Sequence, residues 1–511
     1  MRRESVAGVR WRAAAAGVAA VLFAAGLGEL TASLLAPSAS PFAAIGGGLI
    51  DIAPSWAKDL AIELFGTADK IALLTAIALV AALLAAAAGL LELWRPPVGT
   101  AIFITLGIVG AVVATVRSDG DPLAWLPSVV AGAAGAIALR VLMKRVSPAA
   151  EAPKDGPDRR QFLVWTGATA ALGAAALVFG NLARATVRTV EAARAAVRLP
   201  AATTAAQAVP AAAELGIEGL APVVTPNTEF YRIDTALVVP QVDPADWRLR
   251  VHGMVDQEVV LTWDELLALP LQESDITLAC VSNTVGGDLI GSARWLGYPV
   301  RELLARAGAS ADADMVLSTS IDGFTASTPL EAFTDDRDSL LAVGMNGEPL
   351  PLAHGFPVRL VVPGLYGYVS ATKWVTELEV TRFDRASAYW TSRGWSERGP
   401  IKLQSRIDVP RDGRDVEAGS SVIAGMAWHQ HVGVEGVEVR VDGGQWRRAE
   451  LATAISDDTW VQWSLPWTAE SGTHEIECRA LSADGETQTS TPAPPAPDGA
   501  QGWHRISVTV R

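Results

Sequence analysis

The sequence predicts a multi-domain chain: an α-helical membrane region with five transmembrane helices, an α+β domain, and an all-β domain at the C-terminal end. Three observations carry this. The first 183 residues are mostly Ala, Leu, Val and Gly, and they hold five long apolar runs. From about residue 220, short strand and turn patterns alternate with a few helical ones. Beyond about residue 410 the helical pattern stops, and alternating strands recur between turns. At 511 residues, half of them hydrophobic, the chain exceeds one ordinary domain.

The apolar runs lie at about 13–36, 71–93, 98–116, 123–142 and 162–182, each long enough to cross a bilayer. Residues 1–150 are read as a four-helix transmembrane region, and residues 151–200 as the fifth span with its flanks. Arg2, Arg3, Arg10 and Arg12 precede the first span, Arg95 separates the second and third, and Lys144, Arg145, Lys154, Arg159 and Arg160 precede the fifth. The opposite loops carry Asp51, Asp59, Glu63, Asp69, Arg117, Asp119 and Asp121. The positive-inside rule therefore puts the N-terminus in the cytoplasm and everything after residue 184 on the outer face of the cell membrane.

Asp158-Arg159-Arg160-Gln161-Phe162-Leu163 has the form of a twin-arginine export signal, with Asp158 where Ser or Thr is more usual. The plainer reading is two inside charges flanking a helix. Arg184, Arg188, Arg194 and Arg198 argue for a cytoplasmic alternative; the stretch 184–198 reads as an amphipathic surface helix ended by Pro200. Glu29 is a carboxylate inside the first span and a functional candidate by position. The first histidine is His252, so the spans hold no bis-histidine haem, and no Cys-x-x-Cys-His haem site exists. Electrons must then leave to a separate electron-transfer protein or a quinone or cytochrome carrier.

Residues 201–397 form the α+β part. Trp247–Gly253 reads as a strand, and Thr262 with Glu265 three places on reads as a helix cap. Residues 398–511 read as an immunoglobulin-like β-sandwich, from strands such as Val434–Val441, Trp460–Leu465 and His474–Ala480. Cys478 alternates with Ile476 and Ala480 and is a core residue. His429 and His431 share a strand face but lack a third ligand. The net charge of −14 and the lack of a basic stripe or stacking motif argue against a nucleic-acid partner, and two cysteines exclude a disulfide framework.

Four segments carry chemistry. Cys280 ends an alternating strand and enters a loop of small residues, Val281-Ser-Asn283-Thr-Val-Gly-Gly287. On spacing alone a lone cysteine there is most often a small buried hydrophobe; as a thiolate it is a soft metal ligand. His354-Gly-Phe-Pro-Val-Arg359 and Pro363–Trp374 supply His354, a planar guanidinium at Arg359, the Lys373 charge, and hydroxyls at Ser370 and Thr372. Lys373 and Arg359 also read as ordinary strand-edge charges, and Asp322 before Gly323 as a turn residue. The fourth segment is Thr225–Arg232.

In this order the four segments resemble the sulfite oxidase family of molybdopterin enzymes, over about residues 220 to 511. The resemblance implies that Cys280 binds molybdenum beside the dithiolene of one molybdopterin. It implies that Asn227, Tyr231 and Arg232 line the cofactor pocket and that Asp322 bonds the pterin. It implies that His354 donates to the pterin or its phosphate, and that Arg359, Ser370, Thr372 and Lys373 receive the phosphate. The chemistry implied is two-electron oxygen-atom transfer, and the family's C-terminal domain supports dimer contact, which makes a homodimer one expected assembly. A cofactor inserted in the cytoplasm requires export of a folded domain, which agrees with a twin-arginine route. Animal and plant sulfite oxidases have paired arginines just after the cysteine; here Val281 to Val285 hold none, although Arg232 and Arg294 could contribute. A small S- or N-oxide is therefore the expected substrate, with sulfite oxidation as the alternative. A cofactor-free, membrane-anchored interaction protein is the second alternative.

Overall fold

The computed structural model describes residues 6–35, 40–41, 45–46, 69–117, 123–146, 159–185, 188–236 and 238–511. The chain divides into two compact units, Met1–Glu191 with Thr235–Gln241, and Ala192–Asp234 with Val242–Arg511.

Among the described residues, the first unit contains five helices long and apolar enough to cross a bilayer. They are α1 (Val6–Leu35), α2 (Asp69–Trp94), α3 (Val98–Arg117), α4 (Leu126–Met143) and α5 (Arg159–Ala185). α1 starts well before the apolar run does. Arg is a good helix former, and Arg12 folds its guanidinium back onto Gly8 O at 3.3 Å, so hydropathy fades before the helix ends. Small residues let the helices approach: Gly17 lies on the Ala85 backbone, Gly89 on that of Ala13, and Gly26 on Gly173. Glu29 is buried and accepts from Ser40 Oγ at 2.6 Å. Glu92, which hydropathy did not single out, accepts from Thr100 N at 2.8 Å and Thr100 Oγ1 at 2.9 Å. It thus satisfies an orphan donor at the start of α3. Arg2, Arg3, Asp51, Asp59, Glu63, Asp119, Asp121, Lys154 and Asp158 lie outside the described residues.

A short helix, α6 (Arg188–Ala196), follows and ends four residues before Pro200. Its Arg194 donates to Leu350 O at 2.9 Å and Pro349 O at 3.0 Å and pairs with Glu348 at 3.1 Å. That charge is held by protein carbonyls, not displayed on a surface helix as the sequence suggested.

The α+β part has two sheets. One runs β2 (Val259–Thr262), β1 (Arg248–Gly253), β10 (Val375–Thr381), β5 (Met315–Ser320), β6 (Thr325–Pro329). The other runs β3 (Gln272–Ala279), β4 (Ile290–Pro299), β7 (Leu340–Met345), β8 (Glu348–Pro349), with β9 (Arg359–Val361) also on β7. β1 and β10 pair parallel and the other neighbours antiparallel, as an α+β fold requires. The expected cap is present: Thr262 Oγ1 accepts from Glu265 N at 3.3 Å, and Glu265 Oε2 from Thr262 N at 2.8 Å, opening α7 (Trp263–Leu267).

From residue 404 two sheets face each other. The first is β11 (Gln404–Val409), β13 (Gly419–Trp428), β17 (Val461–Ala469), β16 (Glu450–Leu451). The second is β12 (Asp415–Val416), β19 (His504–Val510), β18 (Gly472–Ser482), β14 (Val434–Val441), β15 (Arg447–Arg448). Ile423, Trp463 and Leu465 from one sheet and Val437, Ile476, Cys478 and Val508 from the other form one core, which makes a β-sandwich. Cys478 is fully buried, and burial pushes its thiol up to about 12, which leaves it inert. Trp463 is wholly buried there, so Trp463→Ala is expected to cost about 3–5 kcal/mol, read as a lower denaturant midpoint.

The two histidines do not share a strand face. β13 ends at Trp428, and His431 turns to φ 67° in the connection to β14. A third and fourth candidate ligand do lie near His429, however: its ring and the carboxylates of Asp484 and Glu486 fall within 4.8 Å of one another. Both carboxylates are exposed, and His429 Nδ1 is 2.7 Å from Ser482 Oγ.

Candidate functional site

Cys280 leaves the end of β3, behind the buried run Ile276–Ala279. Its N–H donates to Leu289 O at 2.9 Å, which closes the 281–289 loop at its base. Asn283 N donates back to Cys280 O at 3.1 Å, and Asn283 Oδ1 accepts from Leu289 N at 2.9 Å. Burial raises the Cys280 thiol, while the N–H and hydroxyl of Ser282 and then the Lys373 ammonium draw it down. Lys373 is thus within electrostatic reach. Cys280 in turn helps to raise Tyr231, whose main cause is burial, with Arg359 opposing. Tyr366 is pushed up to about 12, first by burial.

The cations come from a chain segment that doubles back. Arg359 at the start of β9 bridges Lys373, so both project from adjacent backbone. Trp374 holds φ 50°, a costly conformation for a bulky residue, and its Nε1 donates to Leu352 O at 3.1 Å. Lys373 Nζ donates to Asp234 Oδ2 at 2.9 Å and Ala353 O at 3.1 Å. Asp234 also takes Arg232, at 2.9 and 3.3 Å. Arg359 is buried, lies over the Trp295 ring at 5.1 Å, and donates to Leu360 O, His354 O and Ala371 O. Lys373 and Arg232 therefore share Asp234, while Arg359 rests on backbone carbonyls within electrostatic reach of the same acid. Burial lowers Lys373 to about 8 and Arg359 to about 10.

His354 sits at the end of a short turn, Leu352–His354. Its Nε2 must donate to the carbonyl of Asn227 at 3.2 Å, so Nδ1 carries no proton. Burial, then Lys373 and Arg359, lower the ring to about 3, and it is neutral at physiological pH. Nδ1 is buried without a hydrogen-bond partner. Phe230 packs edge-on to the ring at 5.5 Å and stacks on Tyr231 at 5.3 Å.

The structure thus gathers Cys280, Tyr231, Arg232, His354, Arg359 and Lys373, and it places four other expected residues differently. The Asn227 amide is spent on Asn346, Met345 O and Glu348, so Asn227 serves His354 through its carbonyl. Ser370, at the end of α8 (Gly367–Ser370), is fully buried and bonds Tyr366 O at 3.0 Å and Leu365 O at 3.2 Å. Thr372 is equally buried and bonds Ser318 Oγ at 2.7 Å. Both hydroxyls have protein partners, Ser370 the carbonyls of its own loop and Thr372 the Ser318 hydroxyl on β5. Asp322 caps the β5–β6 hairpin, its Oδ1 accepting from Phe324 N at 3.3 Å, which is the turn role its neighbour Gly323 suggested. Arg294 is neutralised by a two-pronged pair with Asp275, at 3.0 and 2.7 Å. Asp234, Phe230, Trp295 and Ser282 were not singled out beforehand; only the Arg-x-Asp spacing at 232–234 hinted at the first.

Residues 236–390 match the oxidoreductase molybdopterin binding domain. Mitochondrial sulfite oxidase of Rattus norvegicus is 32% identical over 339 residues, 56% of this chain and 62% of that protein. Sulfite oxidase of Gallus gallus is 31% identical over 53% of this chain and 69% of its own length. An uncharacterized oxidoreductase of Bacillus subtilis is 33% identical over 34% of this chain and 87% of its own length. This chain belongs to the sulfite oxidase family of molybdopterin-binding oxidoreductases. It spans only about three fifths of the mammalian members' length (62%). The crystal structure of the sulfane dehydrogenase SoxCD from Paracoccus pantotrophus shares the fold, with TM-score 0.51 and 24% identity over 57% of this chain and 82% of that one.

The residues present fit the family's cofactor. Lys373 and Arg359 are both buried, Lys373 paired with Asp234 and Arg359 held by backbone carbonyls, and a phosphate would offset that positive charge. The bare His354 Nδ1 needs a donor, which an N–H of a pterin provides. At Gly355, φ 110°, a Cβ would press on the Arg359 and Lys373 Cβ atoms at 3.0 and 3.1 Å, so glycine keeps the floor between the cations clear. With Nε2 on the Asn227 carbonyl, the neutral His354 ring offers Nδ1 as an acceptor.

Proposed function

We propose that this chain is a membrane-anchored molybdenum-cofactor oxidoreductase acting on a small S- or N-oxide. The buried cation cluster beside a single cysteine carries the reading. Cys280 would bind the metal, Lys373, Arg359 and Arg232 the cofactor phosphate, and His354 Nδ1 a pterin N–H. The bound cofactor supplies two-electron oxygen-atom transfer: for an oxide XO, XO + 2H⁺ + 2e⁻ gives X and water. The electrons come from a separate electron-transfer protein, or from a quinone or cytochrome carrier. Tyr231, kept neutral by burial, is a proton-bearing donor beside Cys280. Asp234 holds Lys373 and Arg232 apart at fixed spacing.

The substrate reading rests on charge. Residues 281–285 hold no arginine, and Arg294 and Arg232 are both paired with carboxylates. A doubly charged anion needs cations to offset its lost hydration, whereas a neutral oxide does not. Sulfite oxidation is the second reading, favoured by the sulfite oxidases among the relatives. Molybdenum and pterin content of the purified chain, followed by a dye-linked substrate panel, tests both. Near one molybdenum per chain and turnover with an S- or N-oxide are expected. A metal-free chain would favour the cofactor-free interaction protein, and sulfite as clearly the best substrate would favour the second reading.

The five helices would anchor this enzyme in the cell membrane with the catalytic domain outside, exported by Arg159 and Arg160. Residues 1–150, 151–200, 201–397 and 398–511 are its proposed domains. The last is an immunoglobulin-like sandwich, which would support a homodimer. Changing Arg159 and Arg160 together to Lys is expected to strand the folded domain inside. Protease protection on spheroplasts reads this, and unchanged external exposure would rule out the twin-arginine route.

A further inference from the structure

The C-terminal sandwich grips the chain on both sides of Cys280. Ahead of it, β3 is the end strand of its sheet. Its outer edge is finished by sandwich residues: Thr277 N donates to Asp458 O at 3.0 Å, and Thr277 Oγ1 accepts from Trp460 N at 2.9 Å. After the cysteine, Arg406 of β11 donates through Nη1 to Gly287 O at 2.8 Å.

Arg406 is built into place. Its Nε meets Asp408 Oδ1 at 2.6 Å, both side chains are nearly buried, and the guanidinium lies 5.7 Å from the Trp460 ring. Asp408 is held in turn by Ala221 N at 3.1 Å. One residue before the gripped carbonyl, Gly286 at φ 77° lies against the His504 ring, whose Nδ1 accepts from Ile407 N at 2.9 Å. Within the loop Gly287 N donates to Thr284 O at 2.9 Å, but Gly286 and Gly287 bring no side chains and the widest conformational freedom, so the outside grip adds to a weak internal one. From Gly287 the path back to the cysteine is short. Leu289 closes on Cys280 N, and Asn283 ties Leu289 to Cys280 O.

We propose that Arg406 is a positioning residue for the metal site: by clamping the Gly287 carbonyl, the sandwich sets the conformation of the loop that carries Cys280. Partners that orient a metal ligand tune both ligand and metal without touching the metal themselves. This proposal rests on Cys280 being the ligand, but the clamp itself can be read without cofactor.

The test uses the full chain with Arg406→Met, in cofactor-free and loaded forms. In cofactor-free protein, amide exchange over 281–289 and iodoacetamide alkylation of Cys280 are expected to speed up by about tenfold, with buried Cys478 as the inert control. In loaded protein the Mo(V) paramagnetic resonance signal should shift and kcat fall about tenfold with little change in KM. R406K should restore part of the loop protection, since an ammonium can reach one acceptor but not hold Asp408 by a fork. Wild-type exchange and an unshifted signal in Arg406→Met would overturn the proposal. Should that variant fail to accumulate, Asp408→Asn unseats the guanidinium without removing it, and wild-type loop exchange there overturns the proposal equally. A wild-type chain without molybdenum would sink the proposed function instead, while the exchange measurement still decides the clamp.

Discussion

Cys280→Ser should abolish oxygen-atom transfer, by more than about 100-fold, while most of the pterin stays bound. The expectation follows from how the site divides its labour. Cys280 stands at the end of β3, whereas Lys373, Arg359 and His354 come from a separate segment that is knotted by its own hydrogen bonds. Serine is nearly isosteric and leaves the 281–289 loop bonds untouched, because those use the Cys280 backbone. Its hydroxyl is a harder ligand that stays protonated where a thiolate would not. Pterin fluorescence after denaturation and a dye-linked assay check the two halves separately. Retained activity would make Cys280 a core cysteine and remove the metal from the mechanism.

The sequence made the architecture legible because its signals are local. Five long apolar runs, the Thr262–Glu265 cap and the alternation around Cys478 each depend on residues within one element, and the structure keeps all of them. The site was legible only in its charges. Cys280, His354, Arg359 and Lys373 announce themselves by residue type, but what a hydroxyl or amide faces depends on chain segments far away. Ser370 and Thr372 turn inward because Tyr366 O and Ser318 are there to receive them. The Asn227 amide is claimed by Asn346 and Glu348, more than a hundred residues on. The tautomer of His354 follows from one carbonyl, that of Asn227, and no pattern in the sequence could supply it. Arg406 was invisible for the same reason: its partner, Gly287, lies in another layer of the fold.

Lys373→Met should have opposite effects on the empty and the loaded protein. The ammonium is buried, and burial, helped by Arg359 and opposed by Asp234, lowers it to about 8. Between pH 8 and the ordinary lysine range near 10.5, the unfolded chain holds a proton that the folded chain lacks. Unfolding then takes up a proton, so cofactor-free protein gains stability as pH rises through that window and carries the penalty at neutral pH. At about 1.4 kcal/mol per unit, the penalty is roughly 1–3 kcal/mol. Methionine fills the same channel without the charge, and Asp234 keeps Arg232 as its partner. Cofactor-free Lys373→Met is therefore expected to unfold at higher denaturant than wild type at pH 7, and to lose the rise above pH 8. The cofactor reverses the order. A phosphate beside Lys373 needs the proton that burial threatens, and a charge-assisted hydrogen bond contributes about 1.5–3 kcal/mol. Loading of Lys373→Met should fall at least about tenfold at pH 7, and loading of wild type should weaken as pH climbs past 8. Molybdopterin uptake into cofactor-free protein at pH 7 and pH 9.5, run beside denaturant curves on the same samples, reads both effects. A variant that is destabilised when empty yet loads normally would show that Lys373 serves Asp234 as a structural ion pair and does not hold an anion.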